Sequence, residues 1–277
     1  MRADCHIHMI LDGYEWKSAI ARHREKPDEG FIRQVLEHYQ DLGYTYLRDG
    51  GDRWGAGKRA RELAGEYGIT YRTPLAPLHK VGHYGGFIGT GWETLAEYAD
   101  LVVKQRTAGA DFIKIMISGR MDFDHYGVLT EAGLTEPEIR QLIHIAHQEG
   151  MAVMAHANGA RTVEAAAAAG VDSVEHGAYL DSSALQAMEA NGTVWVPTLS
   201  AVGNLRGKGR FPEDEVERIL DSALSNVAVY KGFLAAGTDA GAWAVPHGST
   251  TEGNYFAMAG VGENRLQEGL AVIRSKF

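Results

Sequence analysis

The stretch at residues 151–177, MAVMAHANGARTVEAAAAAGVDSVEHG, decides the fold. An apolar run at residues 151–156 is followed by an alanine-rich helical segment at residues 162–169. Gly170 ends this segment, because glycine adopts the left-handed conformation at a helix end without steric cost. A second strand-like run follows at residues 171–175. This order of strand, helix and strand predicts a parallel βαβ unit.

The same alternation extends along the whole chain. A helix start with a capping box is predicted at Thr135-Glu136-Pro137-Glu138, and residues 212–224 form another helix with an acidic first turn. Eight βα units predict a closed (β/α)8 TIM barrel, an α/β fold. No Pro- or Ser-rich linker divides the sequence, so we expect one domain over residues 1–277. The eight predicted strands are residues 3–6, 44–49, 70–75, 111–117, 151–156, 171–175, 193–198 and 232–238.

Composition excludes several classes of protein. The 27 Lys and Arg residues are outnumbered by 36 Asp and Glu residues, and the net charge of −9 argues against nucleic acid or an anionic membrane as partner. Cys5 is the single cysteine and cannot form an internal disulfide, which favours a reducing compartment. No apolar run approaches the roughly 20 residues of a membrane span, and the first residues do not resemble a signal peptide. We therefore expect a cytoplasmic protein.

Two histidines end the first predicted strand. The period of two along a strand puts His6 and His8 on one face, where both can bind one metal ion. The motif alone is weak, since a chain with twelve histidines also produces such a pair by chance.

A lysine lies in the middle of the fourth predicted strand. Lys114 is flanked by Ile113 and Ile115, and burying its ammonium has a large desolvation cost. Its amine either reaches solvent or a carboxylate, or it has a lowered pKa and reacts with carbon dioxide to form a carbamate that bridges two metal ions.

Three more residues of metal-ligand type lie at strand ends. His156 ends the fifth predicted strand, His176 follows the sixth and Asp239 follows the eighth. Singly, the histidines could be buried core residues and Asp239 a helix cap. Together with the first and fourth strands, they predict a metal centre at the carboxyl edge of the barrel, where barrel enzymes place their sites.

The segments at residues 43–51, 111–114, 155–159, 170–177 and 237–241 resemble the amidohydrolase superfamily. The likeness is to its imidazolonepropionase-like and prolidase-like branch, in the subtype with two metals bridged by a carboxylated lysine. The resemblance implies that His6, His8 and Asp239 hold the more buried metal. It implies that His156 and His176 hold the more exposed metal and that carboxylated Lys114 bridges the two.

The resemblance also implies a small companion β-sandwich formed by residues on either side of the barrel. Here the first predicted strand begins at residue 3. We therefore expect a barrel without the sandwich, either by nature or because the flanking residues are not in this chain.

A pair of divalent ions gives the expected mechanism. Ions about 3.5–4 Å apart can share a water, bring its pKa toward about 7 and present a bridging hydroxide to a polarised carbonyl. Asp239 is then the catalytic proton shuttle, which accepts the proton and returns it to the departing amine. Zinc suits imidazole and carboxylate ligands, while manganese, iron and cobalt stay open.

Two long glycine-rich connections, residues 79–91 and 118–133, are candidate active-site loops. His83 on the first could contact a substrate carboxylate and Tyr126 on the second a carbonyl oxygen, although both could be ordinary surface residues. Arg48 and Asp49 could form an ion pair below the site.

The leading functional hypothesis is hydrolysis of the amide C–N bond of a small molecule such as a dipeptide, an N-acyl amino acid or a lactam. Esters, carbamates and phosphotriesters are alternative substrates. A deaminase is a rival, but such members generally use one metal without a bridging lysine, and the His-x-x-Glu motif is missing after His156. A non-catalytic metal-binding barrel is the alternative of another class. The expected partner is a small-molecule substrate, and a homo-oligomer is left open.

Overall fold

A computed structural model describes residues 2–277 and shows alternating strands and helices. The strands are β1 (Arg2–Ile7), β2 (Tyr44–Asp49), β3 (Thr70–Arg72), β4 (Leu78–Lys80), β5 (Thr90–Trp92), β6 (Ile113–Met116), β7 (Val153–Ala157), β8 (Ser173–His176) and β9 (Val194–Val196). The helices are α1 (Trp16–His23), α2 (Glu29–Asp41), α3 (Ala56–Ala64), α4 (Leu95–Thr107), α5 (Glu136–Gln148), α6 (Ala160–Ala168), α7 (Ser182–Asn191), α8 (Leu199–Gly203), α9 (Glu213–Val229), α10 (Thr251–Met258) and α11 (Glu263–Lys276).

All strand pairs are parallel and form two sheets, in the orders β1-β2-β3 and β5-β4-β6-β7-β8-β9. Backbone hydrogen bonds join these sheets at two seams. At the first, the Asp111 amide donates to the Thr73 carbonyl over 3.0 Å. At the second, residues 233–240 lie between β9 and β1, with the Cys5 amide donating to Ala236 over 2.9 Å and the Asp239 amide to His6 over 2.8 Å. The predicted (β/α)8 barrel is thereby confirmed.

Five predicted strands differ from the observed ones by one or two residues at each end, and two others differ by more. The third ends at Arg72 rather than Leu75, because Pro74 has no amide proton and Leu75 has a φ of 65°. The predicted eighth strand, residues 232–238, forms one isolated bridge, between Leu234 and Trp195, and a second bridge, between Ala240 and Ile7, lies just beyond its predicted end. Its backbone still lies where the last barrel strand belongs.

The core lies between the sheet and the surrounding helices. All four residues of β6 and all five of β7 are buried, which fits parallel strands covered on both faces. The predicted start of α5 is confirmed, with the Thr135 amide and hydroxyl both donating to the Glu138 carboxylate. No helix within residues 2–277 is long and apolar enough to cross a membrane.

Candidate metal centre

One cavity of about 710 Å³ opens at the carboxyl ends of the barrel strands. Its volume is in the range that encloses small-molecule ligands. All six residues that the sequence suggested as metal ligands line it: His6, His8, Lys114, His156, His176 and Asp239.

Three of these residues form a compact cluster. The Nε2 atoms of His6 and His8 are 3.3 Å apart, and Asp239 Oδ1 lies 3.6 Å from the first and 3.2 Å from the second. Each residue offers a ligand atom within 4.8 Å of the others. Two imidazoles and one carboxylate are a donor set typical of zinc and other divalent transition metals.

Two glycines leave room for these histidines. A Cβ atom on Gly50 would lie 2.3 Å from the His8 ring, and one on Gly237 would lie 2.8 Å from the Cβ of His6. Only glycine fits at both positions.

Backbone strain is concentrated at the same edge. Asp239 has a φ of 61° and His176 a φ of 68°, values that residues with a Cβ adopt rarely. Both side chains are fixed by the surrounding structure, as strained residues at functional sites commonly are.

The ring orientation of His6 is set by a buried ion-pair network. Its Nδ1 lies 2.6 Å from Glu175 Oε2, which leaves Nε2 directed at the cavity. Glu175 also pairs with the Arg48 Nη2 over 2.8 Å and accepts from the Ser173 hydroxyl over 2.6 Å. Burial opposes ionisation of Glu175, but Arg48 and His6 lower its pKa to about 2. A carboxylate behind a histidine is the usual support of a metal ligand.

The second pair of histidines lies beside the first. The rings of His156 and His176 have centroids 4.6 Å apart, and the His6 and His176 centroids are 5.1 Å apart. His176 Nδ1 is 2.7 Å from the Thr198 hydroxyl, and His156 Nε2 donates to the Gly119 carbonyl over 3.2 Å. Burial lowers the pKa of His156 to about 3 and that of His176 well below its ordinary value, so both rings are neutral, as metal binding requires.

Lys114 is the most unusual group in the cavity. Its side chain is buried, and its Nζ has no hydrogen-bond partner among residues 2–277. Burial lowers its pKa to about 8. A buried ammonium without a partner is costly, and the modification of its amine to an anion would remove that cost beside two cations. The residues present therefore fit a pair of divalent metals with a carboxylated lysine.

The structure does not bring the two predicted substrate contacts to the cavity. His83 is on the expected connection, but its Nδ1 faces Glu131 at 3.7 Å, and its neighbour Tyr84 lines the cavity instead. Tyr126 packs on Tyr179, with ring centroids 5.4 Å apart, and on the Arg218 guanidinium.

The Arg48–Asp49 ion pair is corrected by the structure. Arg48 binds Glu175, whereas Asp49 accepts from the Met9 amide and the Thr73 hydroxyl. Neighbouring residues of a strand point to opposite faces, so the two side chains diverge. A charged residue within an apolar strand, such as Glu175, is the signal that sequence reasoning missed.

A (β/α)8 barrel whose cavity collects four histidines, an aspartate and a buried lysine has a candidate metal centre at the edge where barrel enzymes carry their sites. The model of the amidohydrolase family matches residues 56–246, which is more than half of the chain. The chain belongs to the amidohydrolase family, as the sequence motifs indicated.

Individual proteins agree with this assignment. The chain is 26% identical to the ochratoxinase of Aspergillus niger over 308 aligned positions, which cover 95% of this chain and 61% of that protein. The chain thus spans less than two thirds of the length of its curated relatives. A solved structure of a Xaa-Pro dipeptidase with bound methionine has a TM-score of 0.75, at 23% identity, over 98% of this chain and 74% of that one. The crystal structure of A. niger ochratoxinase has a TM-score of 0.72, at 22% identity, over 99% and 69%. These solved structures share the fold.

Proposed function

We propose that the chain is a metal-dependent hydrolase that cleaves the amide C–N bond of a small substrate, such as a dipeptide, an N-acyl amino acid or a lactam. The observation that carries the proposal is the buried Lys114 amine, which has no hydrogen-bond partner within residues 2–277 and lies in the same cavity as the His6, His8 and Asp239 cluster. Membership of the amidohydrolase family supports the class of reaction.

The residues divide into two ligand sets. In the proposed centre, His6, His8 and Asp239 would hold one ion, and His156 and His176 would hold the other. The neutral Lys114 amine would add to carbon dioxide and release a proton, and the resulting carbamate would offer an anionic ligand to both ions. Zinc is the proposed metal, because imidazole and carboxylate ligands suit it. When bound, the ions would activate a water and polarise the scissile carbonyl.

The protein's own groups move the proton. Asp239 accepts a hydrogen bond from His8 and lies beside His6, and these contacts lower the pKa of its carboxyl although burial opposes them. It is therefore ionised at neutral pH and can accept the proton of the attacking water. Asp239 then returns this proton to the amide nitrogen, because an unprotonated amine leaves poorly.

Other groups position the ligands. Glu175 holds His6 through Nδ1, and Thr198 holds His176 through Nδ1. Their contribution is to fix ring orientation before the substrate binds, which lowers the reorganisation needed in the transition state.

The test is hydrolysis of a panel of N-acyl amino acids, dipeptides and lactams by protein loaded with zinc. We expect Asp239→Asn to lower kcat on amides by about 100-fold or more, a typical effect of losing an acid–base group. Substrates with better leaving groups should lose less. The control is Asp41→Asn, an exposed residue of α2. Full amide turnover by Asp239→Asn, or no turnover by the parent across the panel, contradicts the proposal.

A further inference from the structure

The outer wall of the cavity carries a group of aromatic side chains from three separate connections. Phe123 follows β6, Phe211 precedes α9 and Trp243 follows the last barrel segment. The Phe123 and Phe211 centroids are 5.1 Å apart, and those of Phe211 and Trp243 are 6.3 Å apart. All three line the cavity and are partly exposed. We call these three residues the aromatic shelf.

An arginine lies against this shelf. The Arg210 guanidinium carbon is 4.6 Å from the Trp243 ring centroid and 5.4 Å from that of Phe211. Arg210 is exposed and lines the cavity. Among residues 2–277, no carboxylate forms an ion pair with it, whereas Arg206 in the same connection pairs with Glu217 at 3.7 Å. The positive charge of Arg210 is therefore free to bind a ligand.

The carboxylates of the cavity are already engaged. Glu15 accepts hydrogen bonds from the backbone amides of Lys17 and Ser18 at the start of α1, over 3.1 and 2.7 Å. Asp239 belongs to the metal-ligand cluster. Within residues 2–277, the cavity-lining guanidinium groups of Arg120 and Arg210 form no ion pair, and the Arg210 group is the one that lies against the aromatic shelf. The described part of the cavity lining has no uncommitted carboxylate.

We infer that Arg210 and the aromatic shelf form a subsite for a planar aromatic group that carries a negative charge, on the part of the substrate distal to the scissile bond. The inference rests on the proposed function, because the metal centre fixes where that bond lies. A flat ring can stack on the face of Phe211 and meet Trp243 edge to face, because the planes of these two rings are 87° apart. Its carboxylate then meets the planar guanidinium through two parallel hydrogen bonds. Arg210 and the shelf are specificity-determining residues and take no part in bond cleavage.

The first test is equilibrium binding without turnover, measured by calorimetry with three probes. Benzoate is planar and charged, benzamide is planar and neutral, and cyclohexanecarboxylate is charged and not planar. We expect benzoate to bind about three- to tenfold more tightly than the other two. Arg210→Gln should reduce benzoate affinity to that of benzamide, while Phe211→Leu should weaken both aromatic probes. The matched control Arg206→Gln should bind all three like the parent.

The second test is turnover. Arg210→Gln should raise KM about three- to tenfold for N-(4-carboxybenzoyl)glycine, with kcat unchanged, and leave N-benzoylglycine unaffected. Equal effects of Arg210→Gln and Arg206→Gln, or equal binding of benzoate and cyclohexanecarboxylate, would overturn the subsite. Absence of amide turnover with benzoate selectivity intact contradicts the hydrolase proposal and supports the subsite. Turnover of N-acetylglycine without any selectivity for benzoate supports the hydrolase proposal and contradicts the subsite.

Discussion

Lys114 connects the fold to the chemistry at the level of a single residue. It lies on β6 between two isoleucines, and its buried amine has no hydrogen-bond partner in the part of the chain that the structure describes. An unmodified ammonium here would be destabilising, since each buried charge needs compensation by a partner. Carboxylation would replace the ammonium of Lys114 with a carbamate anion that can bind two metal ions.

We expect Lys114→Met to lose at least one metal ion per chain and nearly all hydrolase activity. Methionine is unbranched and apolar, so it can occupy the side chain's space without offering an anionic bridge. Elemental analysis and turnover of an N-acyl amino acid measure both effects, and added formate or acetate should restore part of each. Lys104→Met, at an exposed position of α4, is the control. Two fully occupied metals in active Lys114→Met would contradict the carbamate bridge.

Glu175 has a structural role that is separable from turnover. It is fully buried and compensates the equally buried Arg48. Removing one member of a buried pair leaves an uncompensated charge, so Glu175→Gln should lower the free energy of unfolding by about 3–5 kcal/mol. Denaturant titration measures this value. The exposed Glu62, which pairs with Arg59 at 2.8 Å, gives the matched Glu62→Gln control, with an expected change below about 1 kcal/mol. A loss below about 1 kcal/mol for Glu175→Gln as well would show that Glu175 does not stabilise the folded state by compensating Arg48.

At the level of elements, one carboxylate joins α5 to β4. Glu138 accepts from Thr135 at the start of α5 and from the Lys80 Nζ of β4 over 2.5 Å. Its pKa falls from an ordinary 4.5 to about 2, with the Lys80 hydrogen bond as the largest cause. A lowered folded pKa means that the stabilisation is present above about pH 4.5 and is lost as the pH falls toward 2.

The unfolding free energy of the parent should therefore decrease more between pH 4.5 and 2 than that of Glu138→Gln. Because both partners are partly exposed, we expect a difference of at most about 1 kcal/mol. Parallel chemical denaturation curves over this pH range measure it. If the two proteins have the same pH dependence, the Lys80–Glu138 contact does not stabilise the folded state.

Elements with strong local signals could be predicted from the sequence, and those that depend on partners could not. The bounds predicted for β2 agree with the observed ones, since a run rich in aromatic and β-branched residues begins directly after Gly43. β4 and β5 were read as loop, because strands of three residues show no periodicity and exist only through pairing with each other and with β6. The last barrel segment was predicted as a full strand, yet it pairs with β9 and β1 only through isolated bridges at Leu234 and Ala240.

In the candidate site, too, the residues at strand ends could be predicted from the sequence and those on loops could not. The six predicted metal-ligand residues line one cavity, because strand ends in a parallel barrel must meet at one edge. Loop residues have no such constraint. Tyr84 lines the cavity where its neighbour His83 was expected, and Arg120 and Arg210 had no signal beyond their charge. In a loop, the local backbone conformation decides which of two neighbouring side chains faces the cavity. A loop sequence has no periodic pattern from which this can be predicted.

At the scale of the whole molecule, the barrel strands are less regularly paired at the second seam, where the last barrel segment meets β9 and β1. Residues 233–240 join β9 to β1 through a few backbone hydrogen bonds, including the His8 amide to Ala240 over 2.7 Å. The proposed metal ligands lie on both sides of this seam, with His6 and His8 on β1 and Asp239 on the last segment. A bound ion would therefore tie the first strand of the barrel to its last.

Metal binding should then stabilise the seam more than the rest of the barrel. At a free metal concentration of 100 times Kd, the linkage adds about 2.7 kcal/mol, which corresponds to a rise in Tm of roughly 5–10 °C for a chain of this size. Hydrogen–deuterium exchange should slow markedly in peptides covering residues 233–241 on zinc loading and change little in α5. A chelator should reverse both effects, and His6→Ala should abolish them, whereas His144→Ala, on α5 outside the cavity lining, should not. Uniform slowing of exchange over the whole chain, or none at the seam, would show that the ion does not join the two ends of the barrel.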